Sequence, residues 1–166
     1  MNETKRSEAV FAAGCFWGVE QTFRRIDGVL ETEVGFTGGS VANPSYQQVC
    51  NTDTGHAEAV RVVFDPSTVS YQQLLEAFWA CHNPTTPNRQ GPDVGSQYRS
   101  AIFFLDDAQR ELAEASRKKL ADSGRFSNEI VTEITRAGEF HRAEEYHQQY
   151  FEKRGGGHCN TGIQND

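Results

Sequence analysis

The order in which strand-like and helix-like segments alternate is the feature that most limits how this chain can fold. Short apolar or alternating segments, typical of strands, occupy residues 9–13, 29–36, 57–64, 98–105 and 129–136. Segments with helical spacing of apolar residues occupy residues 17–26, 107–123 and 141–153, and a capping box at residues 70–73 opens another that ends at Pro84. The order β-α-β-β-α-β-α-β-α begins with the six elements of the split βαβ, ferredoxin-like arrangement. We therefore predict an α+β, two-layer sandwich with a mixed, mostly antiparallel sheet.

Length and charge exclude several classes of protein. The 166 residues fit one catalytic domain over residues 1–166, with residues 154–166 as a flexible, Gly-rich tail. A net charge of −7 argues against nucleic-acid binding, and no apolar run approaches the roughly 18 residues that span a bilayer. The first eight residues are polar and lack the apolar core of a secretory signal. We expect a cytoplasmic protein that acts as a monomer.

The four cysteines carry the first indication of chemistry. They lie at positions 15, 50, 81 and 159, and no two have C-x-x-C spacing, which argues against zinc-ribbon and thioredoxin-type motifs. Cys15 follows a predicted buried strand and opens a helix, where unpaired N–H groups favour a nucleophilic thiolate. A lone cysteine in this position is equally compatible with a small packed side chain. The neighbouring Phe16 and Trp17 either belong to the core or form an apolar pocket beside the sulfur.

Two metal-site patterns and two cysteine-enzyme classes fit the chain poorly. H-A-E at residues 56–58 begins a zinc-deaminase signature, but the P-C-x-x-C that completes it is absent. Glu144 and His147 match half of a di-iron motif, which needs a second copy and two further glutamates. A papain-like protease would have C-G-[SA]-C-[WY] around its nucleophile, and a peroxiredoxin a Thr or Ser where Ala12 and Ala13 stand. Because that second di-iron motif is missing, Glu144 and His147 fit a solvated or hydrogen-bonded helix face better than a metal site.

Glu58 and Cys159 could complete a thiol-based site. Glu58 lies at the start of a predicted strand, where it is either solvated or buried; a carboxyl buried beside hydroxyls could donate a proton. Cys159 follows three consecutive glycines, so it could reach a distant thiol or could simply lie in a disordered tail. If Cys15 became a sulfenic acid, a second thiolate could condense with it.

Four segments give the chain a specific family resemblance. They are G-C-F-W-G at residues 14–18, T-G-H-A-E at residues 54–58, R-Q-G-P-D-V-G-S-Q-Y-R-S-A at residues 89–101 and A-E-E-Y-H-Q at residues 143–148. These segments resemble the peptide-methionine (S)-S-oxide reductases, the methionine sulfoxide reductase A family. The resemblance extends over roughly residues 8–160, which is nearly the whole chain.

The resemblance implies catalytic roles for the matched positions. Cys15 corresponds to the nucleophile that attacks the sulfoxide sulfur, and Glu58 to the acid that protonates the sulfoxide oxygen. Tyr46 and Tyr98 correspond to the two tyrosines whose hydroxyls bind that oxygen. Cys159 is similar to the resolving cysteine of members with a Gly-rich tail, although His158 stands where those members more often have an aromatic residue.

The resemblance also implies how substrate is bound and how the enzyme is recycled. Phe16 and Trp17 correspond to the wall that receives the substrate methyl group, and Asp93 to an aspartate that helps to position substrate. The implied reaction reduces the S epimer of methionine sulfoxide, free or in oxidised proteins, through a Cys15 sulfenic acid and a Cys15–Cys159 disulfide. Thioredoxin is the implied electron donor, with no bound cofactor and no metal. A sensing or binding module that uses Cys15 without turnover is the alternative, and Cys50 and Cys81 have no assigned role.

Overall fold

A computed structural model describes residues 6–51 and 54–153 of the chain. Its strands are β1 (Ser7–Ala13), β2 (Val29–Thr37), β3 (Ala57–Phe64), β4 (Arg89–Gln90), β5 (Asp93–Val94), β6 (Ser100–Phe104), β7 (Glu133–Arg136) and β8 (His141–Arg142). Its α-helices are α1 (Phe16–Arg24), α2 (Tyr46–Asn51), α3 (Tyr71–Ala80), α4 (Asp107–Asp122) and α5 (Tyr150–Lys153). Two 3₁₀ turns, Ser96–Tyr98 and Glu145–His147, complete the described elements.

The main sheet has six strands in the order β7-β6-β1-β3-β2-β8. Its four central strands, β6-β1-β3-β2, are antiparallel neighbours in the order that a split βαβ fold requires. At one edge β7 pairs with β6 in parallel, and at the other β8 pairs with β2. The predicted α+β fold with a mixed, mostly antiparallel sheet is confirmed.

The sheet is buried on both faces at its centre, and the alternation of side chains along β1 shows this directly. Phe11 lies in the larger apolar cluster, where its ring stacks on Phe23 of α1 at 5.0 Å and on Phe78 of α3 at 5.3 Å. Its neighbours Val10 and Ala12 point the other way, into a smaller cluster. Each aromatic ring that is buried here contributes roughly 2–3 kcal/mol, so the helix-covered face dominates the stability of the fold.

The predicted helix over residues 141–153 is wrong. Residues 141–149 form β8, a 3₁₀ turn and a left-handed residue, Gln149 with φ +51°, before α5 begins. The cause is tertiary, because this segment continues the edge of the sheet: Ala143 N–H donates to the Val34 carbonyl at 3.0 Å, and the Gln148 side chain bonds both Val34 backbone groups at 2.9 Å. These contacts outweigh the helical pattern of the sequence.

Two segments that lie between the predicted strands and helices contain short structure. Residues 40–55 include α2, and residues 84–97 include the β4–β5 hairpin and most of the first 3₁₀ turn. Both segments carry side chains of the site described below, as is common for loops that a rigid scaffold supports. No helix in the described part of the chain is long and apolar enough to cross a membrane.

Candidate active site

The cysteine at the strand–helix junction sits at the N-cap of α1. Gly14 makes the turn out of β1 with φ +98°, and Cys15 follows with φ −55° and ψ 118°. A Cβ at position 14 would lie 2.8 Å from the Cγ of Gln90, so a glycine is required there for space as well as for conformation. The N–H groups of the first helical turn and the helix dipole favour an anion at Cys15. The position predicted from sequence is therefore the position found.

Strand register brings a carboxyl group to the same point. Because β1 and β3 are antiparallel neighbours, the end of β1 that leads to Cys15 lies beside the start of β3. Glu58 has the same strand parity as Val60, so it faces the helix side, where it is 1% exposed. The Phe16 N–H donates to Glu58 Oε1 at 3.1 Å, which ties the carboxyl to the residue directly after Cys15.

Two phenol groups surround this carboxyl. Tyr46 begins α2 and Tyr98 ends the first 3₁₀ turn. Burial, followed by the charge of Glu58, raises the pKa of both tyrosines well above the ordinary range. Both are therefore neutral O–H donors at any physiological pH, which suits them to bind an oxygen that gains negative charge.

Cys50 also borders the site, which the sequence left open. It lies one helical turn after Tyr46 in α2, and its thiol is within hydrogen-bonding reach of the hydroxyls of Tyr46 and Tyr98. Burial is the main cause that raises the pKa of the Cys50 thiol, with the Glu58 charge acting in the same direction. These effects favour a protonated, weakly nucleophilic Cys50, in contrast to the helix-cap position of Cys15.

An aromatic cluster forms another wall of the site. The Trp17 Nε1–H donates to Nδ1 of His147 at 3.0 Å, and the Trp17 ring stacks on Tyr150 at 3.8 Å with 9° between the planes. The Tyr46 ring lies 4.3 Å from His147 and 6.3 Å from Trp17. Phe16 is 1% exposed and lies behind this cluster, whereas Trp17 is only partly buried and presents apolar surface. Sequence reasoning missed His147 and Tyr150, because the predicted helix would have carried them on a solvated face.

Asp93 lies on the β4–β5 hairpin, near Tyr98. Partial burial raises its pKa, and its charge is among those that act on Tyr98. Cys81 lies elsewhere, after α3, where its thiol donates to the Phe78 carbonyl. Cys159 lies outside the described residues, so its predicted proximity to Cys15 stays a prediction. Within residues 6–51 and 54–153, no group of three or more His, Cys, Asp or Glu side chains is arranged to hold a metal ion.

Comparison with known proteins identifies the family of the chain. A family model described as "Peptide methionine sulfoxide reductase" matches residues 7–166 of the chain. The chain belongs to the peptide methionine sulfoxide reductase family. Among curated members, the MsrA of Methanoculleus marisnigri is 60% identical over 159 residues, which cover 96% of this chain and 97% of that protein. The MsrA of Geobacter metallireducens is 56% identical over 161 residues, covering 96% and 99% respectively.

Solved reductases of this family share the fold. The reduced form of Mxr1 from Saccharomyces cerevisiae superposes with a TM-score of 0.87 at 34% identity, over 95% of this chain and 91% of the yeast chain. Methionine sulfoxide reductase A of Corynebacterium diphtheriae gives a TM-score of 0.82 at 38% identity, over 96% and 80%. The mixed sheet and its covering helices are therefore those of a peptide methionine sulfoxide reductase, an oxidoreductase.

Proposed function

We propose that this chain reduces the S epimer of methionine sulfoxide, free or in oxidised proteins, to methionine, with Cys15 as the nucleophile. The observation that carries the proposal is the bond between the Glu58 carboxyl and the Phe16 N–H. This bond holds an acid beside a cysteine that the N-terminus of α1 favours as thiolate. A thiolate and a buried proton donor are the two groups that sulfoxide reduction needs.

In the first step the Cys15 sulfur attacks the sulfoxide sulfur while the sulfoxide oxygen takes up a proton. Glu58 would supply that proton, and the Tyr46 and Tyr98 hydroxyls would donate to the oxygen as its negative charge develops. Since the Phe16 N–H donates to Oε1 of Glu58, the proton belongs on Oε2. The S–O bond and the temporary S–S bond then break while the protonated oxygen is transferred to the Cys15 sulfur, so that methionine leaves and Cys15 becomes a sulfenic acid.

Stereochemical preference would follow from two walls of different character. A sulfoxide sulfur carries a methyl group, an oxygen and the rest of the side chain in a fixed sense. The partly buried Trp17 side chain suits the methyl group, and the side formed by Glu58, Tyr46 and Tyr98 suits the oxygen. The opposite epimer would place its methyl group against the polar wall and leave buried donors unpaired.

The second step would regenerate the enzyme through Cys159. Its thiol condenses with the Cys15 sulfenic acid, which forms the Cys15–Cys159 disulfide and releases water. A thioredoxin dithiol would then reduce this disulfide, so no bound cofactor is needed. Mxr1 of S. cerevisiae has been solved in complex with Trx2, and the family resemblance supports the same type of donor here. A reducing cytoplasm, in which the chain acts as a monomer, would supply that donor.

The test separates the two cysteines. Cys15→Ser should abolish methionine release, because a hydroxyl cannot replace the thiolate. Cys159→Ser should release one methionine per enzyme and then stall, because the sulfenic acid is not resolved. Both are measured by methionine release from a sulfoxide peptide, coupled to NADPH oxidation with thioredoxin and its reductase. Cys81→Ser serves as the control and should turn over normally, since it changes a thiol outside the site.

Two outcomes would contradict the proposal. Multiple turnovers by the Cys159→Ser variant with thioredoxin alone would remove the resolving role of Cys159. Binding of sulfoxide peptide by the wild type without any methionine release would favour a sensing or binding module instead.

A further inference from the structure

A buried carboxyl group of the first helix holds the chain where it meets the aromatic wall of the candidate active site. Glu20 of α1 is 1% exposed, and its Oε1 accepts from the Gln149 backbone N–H at 2.8 Å. Its Oε2 accepts from the Gln149 side-chain amide at 2.8 Å and from the Thr32 hydroxyl at 2.6 Å. We call Glu20, Thr32 and Gln149 the Glu20 clamp.

The clamp stabilises a backbone conformation that is unfavourable by itself. Gln149 has φ +51°, in the left-handed region, where a non-glycine residue remains only when its surroundings hold it. Hydrogen bonds to a carboxylate are roughly twice as strong as neutral ones. The two bonds from Gln149 to Glu20 therefore offset the cost of this conformation, and the direction of the chain after Gln149 depends on them.

The residue that follows this turn belongs to the site. The Tyr150 ring stacks on the Trp17 indole, with the ring centroids 3.8 Å apart and 9° between the planes. Trp17 and Glu20 are three residues apart in α1, so they lie on the same side of the helix. One surface of α1 therefore holds two consecutive residues, Gln149 through hydrogen bonds and Tyr150 through ring stacking.

The stack with Tyr150 controls the plane of the Trp17 indole. Trp17 is only partly buried, so packing in the core does not enclose its ring. The ring is attached through Cβ, and its Nε1–H donates to His147 at 3.0 Å. These two points leave a rotation about the line that joins them, and the Tyr150 ring opposes that rotation by lying flat on the indole. A displacement of Tyr150 would therefore tilt the indole without breaking its bond to His147.

We propose that Glu20 is a positioning residue for recognition of the alkyl group on the substrate sulfur: by holding the turn at Gln149, it keeps Tyr150 against Trp17 and so limits the size of the group that the site accepts. The inference rests on the proposed function, since it needs Trp17 to receive the methyl group. Replacing methyl by ethyl adds one methylene, which a tight apolar pocket rejects by about tenfold or more. Loss of the clamp should weaken that rejection.

The experiment compares two peptides that differ only in the alkyl group on sulfur. One contains methionine sulfoxide and the other ethionine sulfoxide, both as the S epimer. Reduced enzyme in excess over peptide is mixed without thioredoxin and quenched at intervals, and the reduced peptide is quantified by mass spectrometry. The ratio of the two second-order rate constants is the methyl-over-ethyl selectivity. Because one turnover releases the product in the first step, this ratio is independent of Cys159 and of thioredoxin.

Two variants open the clamp. Glu20→Gln places an amide NH₂ where a carboxylate oxygen accepts, so at least one bond of the clamp is lost. We expect the methyl-over-ethyl selectivity to fall by about fivefold. Gln149→Gly keeps the backbone N–H and permits positive φ but removes the side-chain bond, and it should lower the selectivity in the same direction. A general loss of stability would slow both peptides equally and leave the selectivity unchanged.

A double substitution and a matched control show whether Glu20 acts through the stack. Tyr150→Ala removes the stacked ring, so adding Glu20→Gln to it should change the selectivity no further. Thr32→Val is the control, because it removes the other donor to Glu20 and leaves both Gln149 bonds in place. It should lower stability and keep the selectivity within about twofold of wild type.

Each contrary result has a defined meaning. Wild-type selectivity in both Glu20→Gln and Gln149→Gly would overturn the inference, as would equal rates for the two peptides with the wild type. An equal fall of selectivity in Thr32→Val would also overturn it. So would a full effect of Glu20→Gln in the Tyr150→Ala background, because Glu20 would then act independently of the stack. A wild-type enzyme that reduces neither peptide would instead contradict the proposed function.

Discussion

Glu58 experiences two opposing influences on its proton. Burial beside apolar side chains and two phenols disfavours the carboxylate, whereas the Phe16 N–H at the start of α1 favours it. The same helix terminus favours an anion at Cys15, so one local electric field acts on both the proposed nucleophile and the proposed acid. The Glu58 carboxyl is shielded from water, at 1% exposure, as its proposed role as an acid requires.

Replacing Glu58 by Gln tests whether this residue acts as the acid. Gln has the same shape and can still accept from the Phe16 N–H, but it cannot donate a proton to the sulfoxide oxygen. We expect kcat to fall by about 10²-fold or more, the usual contribution of general acid catalysis, with an unchanged unfolding temperature. The matched control is Glu33→Gln on β2, which removes a charge that pairs with Arg61 of β3 and Arg142 of β8 and should keep wild-type kcat. Wild-type turnover by Glu58→Gln would remove the acid role.

At the scale of elements, the site depends on how β1 passes into α1. The strand must stop, turn through a residue with positive φ and begin a helix within three residues, which places Cys15 at the N-cap of α1. The Gln90 side chain packs against this turn, and its amide oxygen accepts from the Asn83 N–H at 3.0 Å. The turn is therefore fixed by its neighbour as well as by its own backbone.

Gly14→Ala tests this junction, and Gly124→Ala is its matched control. Both glycines have positive φ, +98° and +76°, but a Cβ at Gly124 meets nothing within 4 Å. Gly124→Ala should lower the free energy of unfolding by about 1 kcal/mol through backbone strain alone. Gly14→Ala should cost on the order of 3 kcal/mol, because the Cβ also displaces Gln90, and kcat should fall as Cys15 moves. Urea unfolding and turnover measure both, and equal losses of stability would show that Gln90 gives way freely.

At the scale of the whole molecule, a buried polar cluster joins α3 to β6 and to the segment before β7. His82 is fully buried; its Nδ1 lies 2.7 Å from the Phe78 carbonyl and its Nε2 lies 2.7 Å from the Ser100 hydroxyl, which in turn bonds Thr132. Ser100 pairs with Ala13 at the end of β1, so this cluster also supports the strand that leads to Cys15.

The cluster predicts a dependence of stability on pH. Burial lowers the pKa of His82 to about 4, with the Phe78 carbonyl acting in the opposite direction. The unfolded chain, with a histidine pKa near 6.5, therefore binds a proton that the folded chain does not bind between those two pH values. The stability that neutral His82 contributes is fully present above pH about 6.5 and is lost as the pH falls toward about 4, by on the order of 3 kcal/mol.

Urea unfolding at pH 7 and at pH 5 measures this effect. His82→Asn should be less stable at pH 7 and should lose less stability than wild type between the two values, because it has no imidazole to protonate. The difference between the two proteins removes the contribution of other titrating groups. Parallel loss of stability in wild type and variant would contradict the assignment to His82.

The sequence by itself predicted the elements whose signals are local. The pattern of residues 57–64 predicted a strand, and in the structure Val60, Val62 and Phe64 lie on one face of it, with Glu58 at the same parity. The position of Cys15 followed from an apolar strand that ends in Gly14 and a helical spacing that begins directly after it. These signals depend only on a few neighbouring residues, so they do not require the tertiary structure.

Two features followed only from the tertiary structure. They are the aromatic wall that includes His147 and Tyr150, and the path of residues 141–149. Residues 141–149 have helical spacing, yet the open edge of β2 supplies backbone partners for Ala143 and Gln148, and Glu20 stabilises the left-handed turn at Gln149. These partners lie more than 100 residues away in sequence, so no local pattern reveals them. The physical reason is that an unpaired strand edge and a buried carboxyl gain more free energy from pairing than a short isolated helix would supply.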